Sequence, residues 1–326
     1  MDILVYEHIL GEEFEEKPSS LLLNEAKLII KHVMTDFSLN YPDSKISLLT
    51  NKKNINILTG LDLIYRNFDK NLINDIESYS KIYKKVLILA PEENLEMYNI
   101  VKGLESKGVS MINCNSKFIK ITTSKNETYN SLKNSKEYLL NTYLDYKKIE
   151  PDKKIVAKIN DGLGSDNLYI FKDKKDLEIN RELITRKHLF QEYKEGITIS
   201  INIVARKKDF RIISINEQIY QSKSYCEIYL KEIIIGKYNF MYSIFKLFVD
   251  NVMVNFNGYD GFFGIDVILD TNNNIYFLEI NPRLTSSYIG LKPSLGFNPI
   301  IFLDDISYNF DINNNKIVVE NIKNEK

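Results

Sequence analysis

The sequence is poor in several residue types and patterns, and each absence narrows the class of protein. It has no tryptophan and two cysteines, Cys114 and Cys226, which form neither a CxxC pair nor a regularly spaced framework. This argues against a disulfide-rich secreted domain and favours a reducing cytoplasm. Nowhere do about 18 apolar residues follow one another, and the first apolar run is too short for a signal peptide. We therefore expect a cytoplasmic protein that does not act at a membrane.

The charge of the chain also shows no bias toward either sign. It carries 43 basic and 44 acidic residues, for a formal net charge of -1. No net field favours nucleic acid or an anionic membrane. The expected partners are therefore small-molecule substrates, with no nucleic acid and no membrane.

Common catalytic signatures are missing as well. The sequence contains no Walker A motif, no HExxH and no GxSxG, which disfavours P-loop transfer, zincin hydrolysis and serine hydrolysis. After the first predicted strand, Glu7, His8 and Ile9 stand where a GxGxxG turn would bind a dinucleotide. His8 is either a ligand or base, or a hydrogen-bonded structural residue.

The first third of the chain alternates short apolar runs with amphipathic stretches. Such alternation predicts parallel β–α units, and with room for about two domains in the chain we expect a Rossmann-like parallel-sheet domain over residues 1–113. Its predicted strands and helices are residues 3–6, 20–37, 46–50, 72–83 and 86–90.

A second unit begins near Asn115. Ser124 and Glu127 predict a capping box, which places Lys125 at the first position of a helix. The remaining predicted elements are a strand at 155–159, a glycine loop at 161–165 (DGLGS) with a return strand at 168–171, an antiparallel meander at 189–195, 198–205 and 210–218, a helix at 238–255 and a last strand at 317–319.

Two strands near the C-terminal end, 262–269 (FFGIDVIL) and 275–281 (IYFLEIN), predict an antiparallel hairpin. With a turn of two or four residues, Asp266 falls opposite Glu279, and Asn281 shares the face of Glu279 because side chains alternate along a strand. Opposed carboxylates repel each other unless a hard cation lies between them. Asp266, Glu279 and Asn281 are therefore candidate ligands of Mg²⁺ or Mn²⁺, and a solvated face with incidental acids is the alternative. The opposite, buried face is predicted to hold Ile265, Val267, Leu278 and Ile280.

Two lysines are candidates for binding phosphate. Lys158 interrupts an apolar strand, which is unfavourable unless its ammonium reaches water or an anion. The glycine loop that follows lets backbone N–H groups approach phosphate oxygens, and Ser165 adds a hydroxyl. Lys125 adds its charge to the positive end of a helix. A surface lysine at a helix start and an ordinary hairpin turn remain the alternatives.

The order of these features resembles the ATP-grasp superfamily: a lysine at a helix start, a lysine in a strand before a glycine loop, a QEYKEG strand, and D…ExNPR on a hairpin. The resemblance covers roughly residues 115–309. It implies an α/β protein with an ATP-grasp fold, in which two α+β subdomains grip ATP behind the Rossmann-like domain. Residues 114–326 would then comprise a smaller lid subdomain at 114–190, a larger metal-bearing subdomain at 191–310 and a tail at 311–326.

The same resemblance implies the roles of individual residues. Those expected to bind ATP are Lys125, Lys158, Gly162, Gly164, Ser165, Gln191, Glu192, Tyr193 and Lys194. Asp266, Glu279 and Asn281 would hold magnesium. Lys158 and Arg283 would be the catalytic residues, with Arg283 meeting the charge of the transferred phosphoryl group. Thr198 departs from the pattern, because many relatives place a carboxylate for the ribose there, and Gly264 stands where dipeptide ligases carry an arginine, which argues against a D-alanine ligase.

Segments 86–94 (VLILAPEEN), 112–125, 190–196, 264–270 and 279–292 resemble, more narrowly, archaeal ATP-grasp ligases of methanofuran biosynthesis. That implies an ADP-forming carboxylate–amine ligase that joins the γ-carboxylate of L-glutamate to tyramine through an acyl phosphate. Candidates for the acceptor pocket are Asn216, Gln218 and residues 285–288, with Arg211 or Lys292 for the α-carboxylate. The alternatives are a ligase for another amino acid and amine, or a non-catalytic nucleotide-binding regulatory protein. The sequence does not indicate an oligomeric state.

Overall fold

The computed structural model describes residues 1–132, 134–162, 167–222, 224–312 and 316–320. Its strands are β1 Ile3–Glu7, β2 Ile46–Thr50, β3 Leu63–Tyr65, β4 Lys85–Leu89, β5 Thr142–Tyr143, β6 Ile155–Ile159, β7 Tyr169–Phe171, β8 His188–Glu192, β9 Ile197–Arg206, β10 Asp209–Ser222, β11 Ile228–Ile235, β12 Gly261–Leu269, β13 Ile275–Asn281 and β14 Ile317–Glu320. Its α-helices are α1 His8–Gly11, α2 Ser20–Asn40, α3 Leu72–Tyr79, α4 Glu96–Ser106, α5 Ser116–Thr123, α6 Lys125–Ser131, α7 Lys174–Ile179, α8 Tyr242–Met253 and α9 Tyr288–Leu295.

The N-terminal part forms a parallel sheet in the order β3-β2-β1-β4, as the alternation predicted. Parallel sheets are normally covered on both faces, and this one is. Helix α2 packs Ile30 and Val33 with Ile3 and Val5 on one face. On the other face α4 packs with Leu4, Val86 and Ile88. The carboxyl ends of β1 and β4 therefore meet at one edge of the sheet.

The larger of the two remaining sheets has the order β13-β12-β9-β10-β11-β14. One face of its central strands buries Ile201, Ile203 and Ile265 against Phe248 and Val252 of α8. The predicted hairpin of β12 and β13 lies at its edge. Because Ile265 and Val267 are buried in this core, the polar face of the hairpin is turned away from it. Among the helices in the described ranges, none is long and apolar enough to cross a membrane.

The smaller sheet has the order β5-β8-β6-β7 and corrects one prediction. We expected residues 189–195 to form a meander with the two strands that follow, but β8 pairs with β6 and β5 instead. The physical reason is burial, because Phe190 packs with Ile155 and Phe171 in a separate core. β8 also crosses the predicted boundary at 190/191, so we propose that the smaller subdomain ends after Glu192.

Candidate functional site

The β12–β13 hairpin brings its two carboxylates together as predicted, but its turn is longer than predicted and is followed by a bulge. Asp266 pairs with Glu279, but Leu269 pairs with Ile275, which leaves five residues in the turn instead of two or four. The Asp270 carboxylate accepts hydrogen bonds from the backbone N–H groups of Asn272 and Asn274, both 2.9 Å, and supports this longer turn. A β-bulge after Asp266 then restores the register.

The bulge also corrects the predicted side of one residue. Ile265, Val267 and Ile280 are buried as expected. Leu278, however, lines the same cavity as Glu279. The extra residue of the bulge breaks the strict alternation of faces, so Leu278 moves from the core side to the cavity side of the hairpin.

The two carboxylates differ in their electrostatic environment. Burial, together with the charge of Glu279, raises the pKa of Asp266 to about 8. Burial also acts to raise the pKa of Glu279, but Lys125 and Lys158 outweigh it and lower that pKa. Lys125 is 6% exposed, and its Nζ lies 2.9 Å from a Glu279 carboxylate oxygen. The lysines thus stabilise the negative charge of Glu279, whereas the neighbours of Asp266 do not offset the cost of charging it.

Amide side chains complete the surroundings of Asp266. Asn281 Nδ2 donates to Asp266 Oδ2 at 3.0 Å, and Gln218 Nε2 donates to Oδ1 at 3.4 Å. Gln218 Oε1 is buried and accepts no hydrogen bond from the described residues. Two carboxylates and buried amide oxygens are the donors that Mg²⁺ and Mn²⁺ prefer, so these residues fit a hard divalent cation. No group of three or more His, Cys, Asp and Glu that could hold a metal exists in the described ranges, and the candidate site combines two carboxylates with amides.

A cavity of about 420 Å³, here called the lysine-lined cavity, lies on one side of the hairpin. It collects most of the residues predicted to bind ATP: Lys125, Lys158, Gly162, Gln191, Glu192, Tyr193 and Lys194. Gly164 and Ser165 lie outside the described residues. The cavity also reaches Asp266 and Glu279, and its apolar lining includes Ile268 and Leu278. Apolar lining beside lysines and carboxylates suits a nucleotide with its phosphates toward the hairpin.

Lys125 and Lys158, which both line this cavity, are held in different ways. Lys125 donates to the carbonyl oxygen of Gly162 at 3.1 Å, in addition to its ion pair with Glu279. Lys158 Nζ lies 5.9 Å from the ring centroid of Tyr129. Burial and the charge of Lys125 lower the pKa of Lys158 to about 8, although Glu279 acts in the opposite direction. An anion in this cavity would remove the repulsion between the lysines.

The end of β8 and the residues that follow it line the lysine-lined cavity. The side chain of Gln191 is turned inward, where Nε2 donates to Tyr129 Oη and, at 2.8 Å, to Thr142 Oγ1. Lys194 forms an ion pair with Asp270 at 3.2 Å. The contacts of the Gln191 and Lys194 side chains with other parts of the protein thus fix the position of the backbone between them. Thr198, which stands where the family resemblance implies a carboxylate for the ribose, also lines the cavity.

A second cavity, of about 550 Å³, lies on the other side of the hairpin and is here called the carboxylate-lined cavity. Its walls come from the carboxyl ends of β1 and β4, helix α2, the large sheet and the segment after β13. Asp266, Glu279 and Gln218 line both cavities. Asn281 and Arg283 line this one. The two cavities therefore meet at the opposed carboxylates.

Arg283 has a carboxylate partner that the sequence did not reveal. Its Nε lies 3.0 Å and 3.1 Å from the two carboxylate oxygens of Glu92, and its Nη1 donates to the carbonyl oxygen of Leu284. Burial acts to lower the pKa of Arg283, but Glu92 more than offsets this and the pKa is raised. The guanidinium is thus fixed at the cavity wall in its charged form.

The structure contradicts several candidates for the acceptor pocket. Tyr288 is buried and donates to Asp36, and Lys292 pairs with Asp36 at 2.9 Å, so both bind helix α2 and do not line the cavity. Arg211 stacks on Phe310, and Asn216 is buried against Ser200 and Gly236. Gln218 and residues 285–287 do line it. These contacts are between elements far apart in sequence, which local patterns do not indicate.

Tyr220 is a residue that the sequence analysis missed. It lines both cavities, and burial followed by the charges of Asp266 and Glu279 raises its pKa. Gln218 and Tyr220 are two apart on β10 and therefore share a face. The polar alternation of that strand was the signal available in the sequence.

Comparisons with known proteins point to the family that the order of motifs in the sequence resembles. The family model described as "ATP-grasp domain" matches residues 122–287, slightly more than half of the chain. The tyramine–L-glutamate ligase of Methanocaldococcus jannaschii is 28% identical over 302 residues, 90% of this chain and 86% of that protein. The enzyme of the same name from Methanocaldococcus fervens is 28% identical over 303 residues, covering 90% and 91%.

A solved structure shows the same fold. An ATP-grasp superfamily protein of Archaeoglobus fulgidus superimposes with a TM-score of 0.72 at 20% identity, covering 93% of this chain and 88% of that one. The predicted combination of a parallel sheet with an ATP-grasp fold is confirmed. Because the family match includes Lys125, Lys158 and the whole β12–β13 hairpin, this chain belongs to the ATP-grasp family.

Proposed function

We propose that this ATP-grasp ligase joins the γ-carboxylate of L-glutamate to the amino group of tyramine, with conversion of ATP to ADP and phosphate. The observation that carries the proposal is the meeting of two cavities at one pair of carboxylates. The lysine-lined cavity suits ATP, and the carboxylate-lined cavity leaves room for the two other substrates on the far side of Asp266 and Glu279. The substrate pair rests on the two relatives at 28% identity.

The reaction proceeds in two steps. A γ-carboxylate oxygen attacks the γ-phosphorus of ATP, and the bond from phosphorus to the β–γ bridging oxygen breaks. ADP is the leaving group, and the product is an acyl phosphate. The amine nitrogen then attacks the acyl carbon, the bond to the phosphate oxygen breaks, and inorganic phosphate leaves. One proton of the ammonium group passes to solvent before the attack, which frees the lone pair of the nitrogen, and the second passes to the leaving phosphate as the amide forms.

Protein residues contribute position and charge in these steps. Lys125 and Lys158 would contact the β- and γ-phosphate oxygens from the lysine-lined cavity, and Arg283 would meet the developing charge from the other side. Glu92 binds Nε of Arg283 and holds its guanidinium in place at the cavity wall. Asp266, Glu279 and Asn281 would hold Mg²⁺ or Mn²⁺, which supplies charge neutralisation at the phosphate oxygens. No covalent protein nucleophile is required.

The activity test uses purified protein with ATP, Mg²⁺, L-glutamate and tyramine, and mass spectrometry of the product. We expect γ-glutamyltyramine, with the γ linkage assigned by fragmentation, and ADP in equal amount. Glu279→Gln prepared in parallel is the control for contaminating ligases. Release of AMP and pyrophosphate would reject the acyl-phosphate route.

Panels of amino acids and amines in the same assay test the substrate pair by itself. An amide formed only from another pair would reassign the substrates and leave the ligase mechanism standing. Binding of ATP without carboxylate-dependent ADP release under any combination would favour the non-catalytic alternative.

A further inference from the structure

Glu25 is a carboxylate of the carboxylate-lined cavity that the proposed mechanism does not use. It lies on helix α2, and its Oε1 accepts a hydrogen bond from the hydroxyl of Ser286. Ser286 follows Arg283 by three residues and lines the same cavity. The Glu25 carboxylate is thereby tied to the segment that carries the guanidinium expected at the reaction centre.

The surroundings of Glu25 are mostly apolar. Leu22, Ala26 and Ile29 lie three residues before it, one after it and four after it on the same helix, and all three line the cavity. Phe14 adds an aromatic ring to this wall. A carboxylate flanked by apolar surface is a poor match for water and a good match for an organic cation.

Glu25 attracts Arg283 through its charge and helps to raise the pKa of that guanidinium, without forming an ion pair with it. Within the described part of the chain, no ion pair joins it to a lysine, arginine or histidine. Arg283, the nearby guanidinium, is already paired with Glu92. His8 lines the cavity too, but burial lowers its pKa and so favours the neutral ring. The cavity therefore holds a negative charge beside an apolar wall, close to Arg283.

We propose that Glu25 binds the ammonium group of the amine substrate, while Leu22, Ala26 and Ile29 contact its apolar body. The inference rests on the proposed function and names the residue that selects the amine. The class of acceptor is a primary ammonium with an apolar or aromatic body. Ser286 positions Glu25, so that the amine nitrogen is held next to the acyl group that forms beside Arg283.

The α-ammonium group of glutamate is a poorer match for this carboxylate. It is covalently tied to an α-carboxylate, which Glu25 would repel. It also lacks an apolar body to cover Leu22 and Ile29. The amine has neither disadvantage.

The test compares two nucleophiles in one variant. Glu25→Gln removes the charge but keeps an oxygen that accepts the Ser286 hydrogen bond. Hydroxylamine, a small nucleophile that is uncharged at neutral pH, traps the acyl phosphate as glutamyl hydroxamate without needing an ammonium site. We expect the KM for tyramine to rise about tenfold or more, the order of losing a charge-assisted contact, with the KM values for glutamate and ATP and the rate of hydroxamate formation within about twofold of wild type.

Glu93→Gln is the matched control, because Glu93 lines the same cavity on its exposed rim and should leave the KM for tyramine unchanged. An unchanged KM for tyramine in Glu25→Gln, a rise in the KM for glutamate instead, or an equal loss of hydroxamate and amide would each overturn the inference. A wild-type protein that forms neither product would contradict the proposed function and the inference with it. Formation of both by wild type ties any failure in the variant to Glu25 alone.

Discussion

Lys125 Nζ lies 2.9 Å from a carboxylate oxygen of Glu279, which joins the start of helix α6 to the edge strand β13. One of these residues is a predicted phosphate contact and the other a predicted metal ligand. Both side chains are largely buried, so the ion pair keeps Glu279 charged next to Asp266. The contact therefore joins a predicted phosphate-binding residue to a predicted metal ligand.

This contact predicts a stability effect that a double-mutant cycle can measure. Lys125→Met leaves the buried Glu279 charge without its partner, and breaking a buried pair in this way costs about 3 kcal/mol or more. Adding Glu279→Gln should recover most of that loss, because no uncompensated charge remains. Urea unfolding of the four proteins gives the values. Additive losses would show that the two residues are not coupled.

Asp266→Asn tests the predicted cation site by binding as well as by activity. We expect kcat to fall by about 100-fold or more, since neutralising transferred phosphoryl charge is a task of several kcal/mol. We also expect Mg²⁺ to raise the Tm of wild type and to leave that of the variant unchanged. Asp250→Asn, an exposed carboxylate-to-amide change on α8, is the control. Equal Mg²⁺-dependent shifts in Tm would remove Asp266 from the ligand set.

Lys158→Ala tests the predicted phosphate contact in the lysine-lined cavity. Losing a charge-assisted hydrogen bond should lower kcat/KM for ATP by about 2 kcal/mol, or roughly 30-fold. Lys153→Ala, which removes a half-exposed lysine just before β6, should have little effect. If both variants behave alike, Lys158 is a surface lysine that reaches water through the cavity.

Glu7 predicts a pH dependence of stability. It is 8% exposed, and burial raises its pKa from 4.5 to about 7 in the folded protein. A carboxyl group with a raised pKa contributes stability while protonated, and this contribution is lost as the pH rises from about 4.5 through 7. Glu7→Gln stays neutral and keeps an acceptor for the backbone N–H of Leu10. The free energy of unfolding of the variant relative to that of wild type should therefore increase with pH, by up to about 3 kcal/mol at pH 8.

Denaturant unfolding at pH 5 and pH 8 measures this difference. Glu93 lies on the exposed rim of the carboxylate-lined cavity, which Glu7 also lines. The free energy of unfolding of Glu93→Gln should equal that of wild type at both pH values. A pH-independent difference between Glu7→Gln and wild type would mean that Glu7 titrates normally in the folded protein.

Local patterns in the sequence determined the elements that carry the site. The alternation of strands and helices predicted the parallel sheet, the capping signal of Ser124 predicted the start of α6, and the spacing of Asp266 and Glu279 predicted their pairing. Each depends on residues close together along the chain, because helical period, strand alternation and turn chemistry act over a few residues. Motif order then carried the identification of the family.

Tertiary packing alone decided which side chains from distant segments face each other. Asp36 on α2 draws Tyr288 and Lys292 away from the acceptor pocket, and Glu92 pairs with Arg283. The bulge that turns Leu278 into the lysine-lined cavity depends on the turn and on pairing with β12. These contacts join segments distant in sequence, and their energies depend on burial and on neighbouring charges that exist only after folding. For that reason the sequence predicted the candidate metal and phosphate residues, whereas the place of Glu25 in the carboxylate-lined cavity came from the structure.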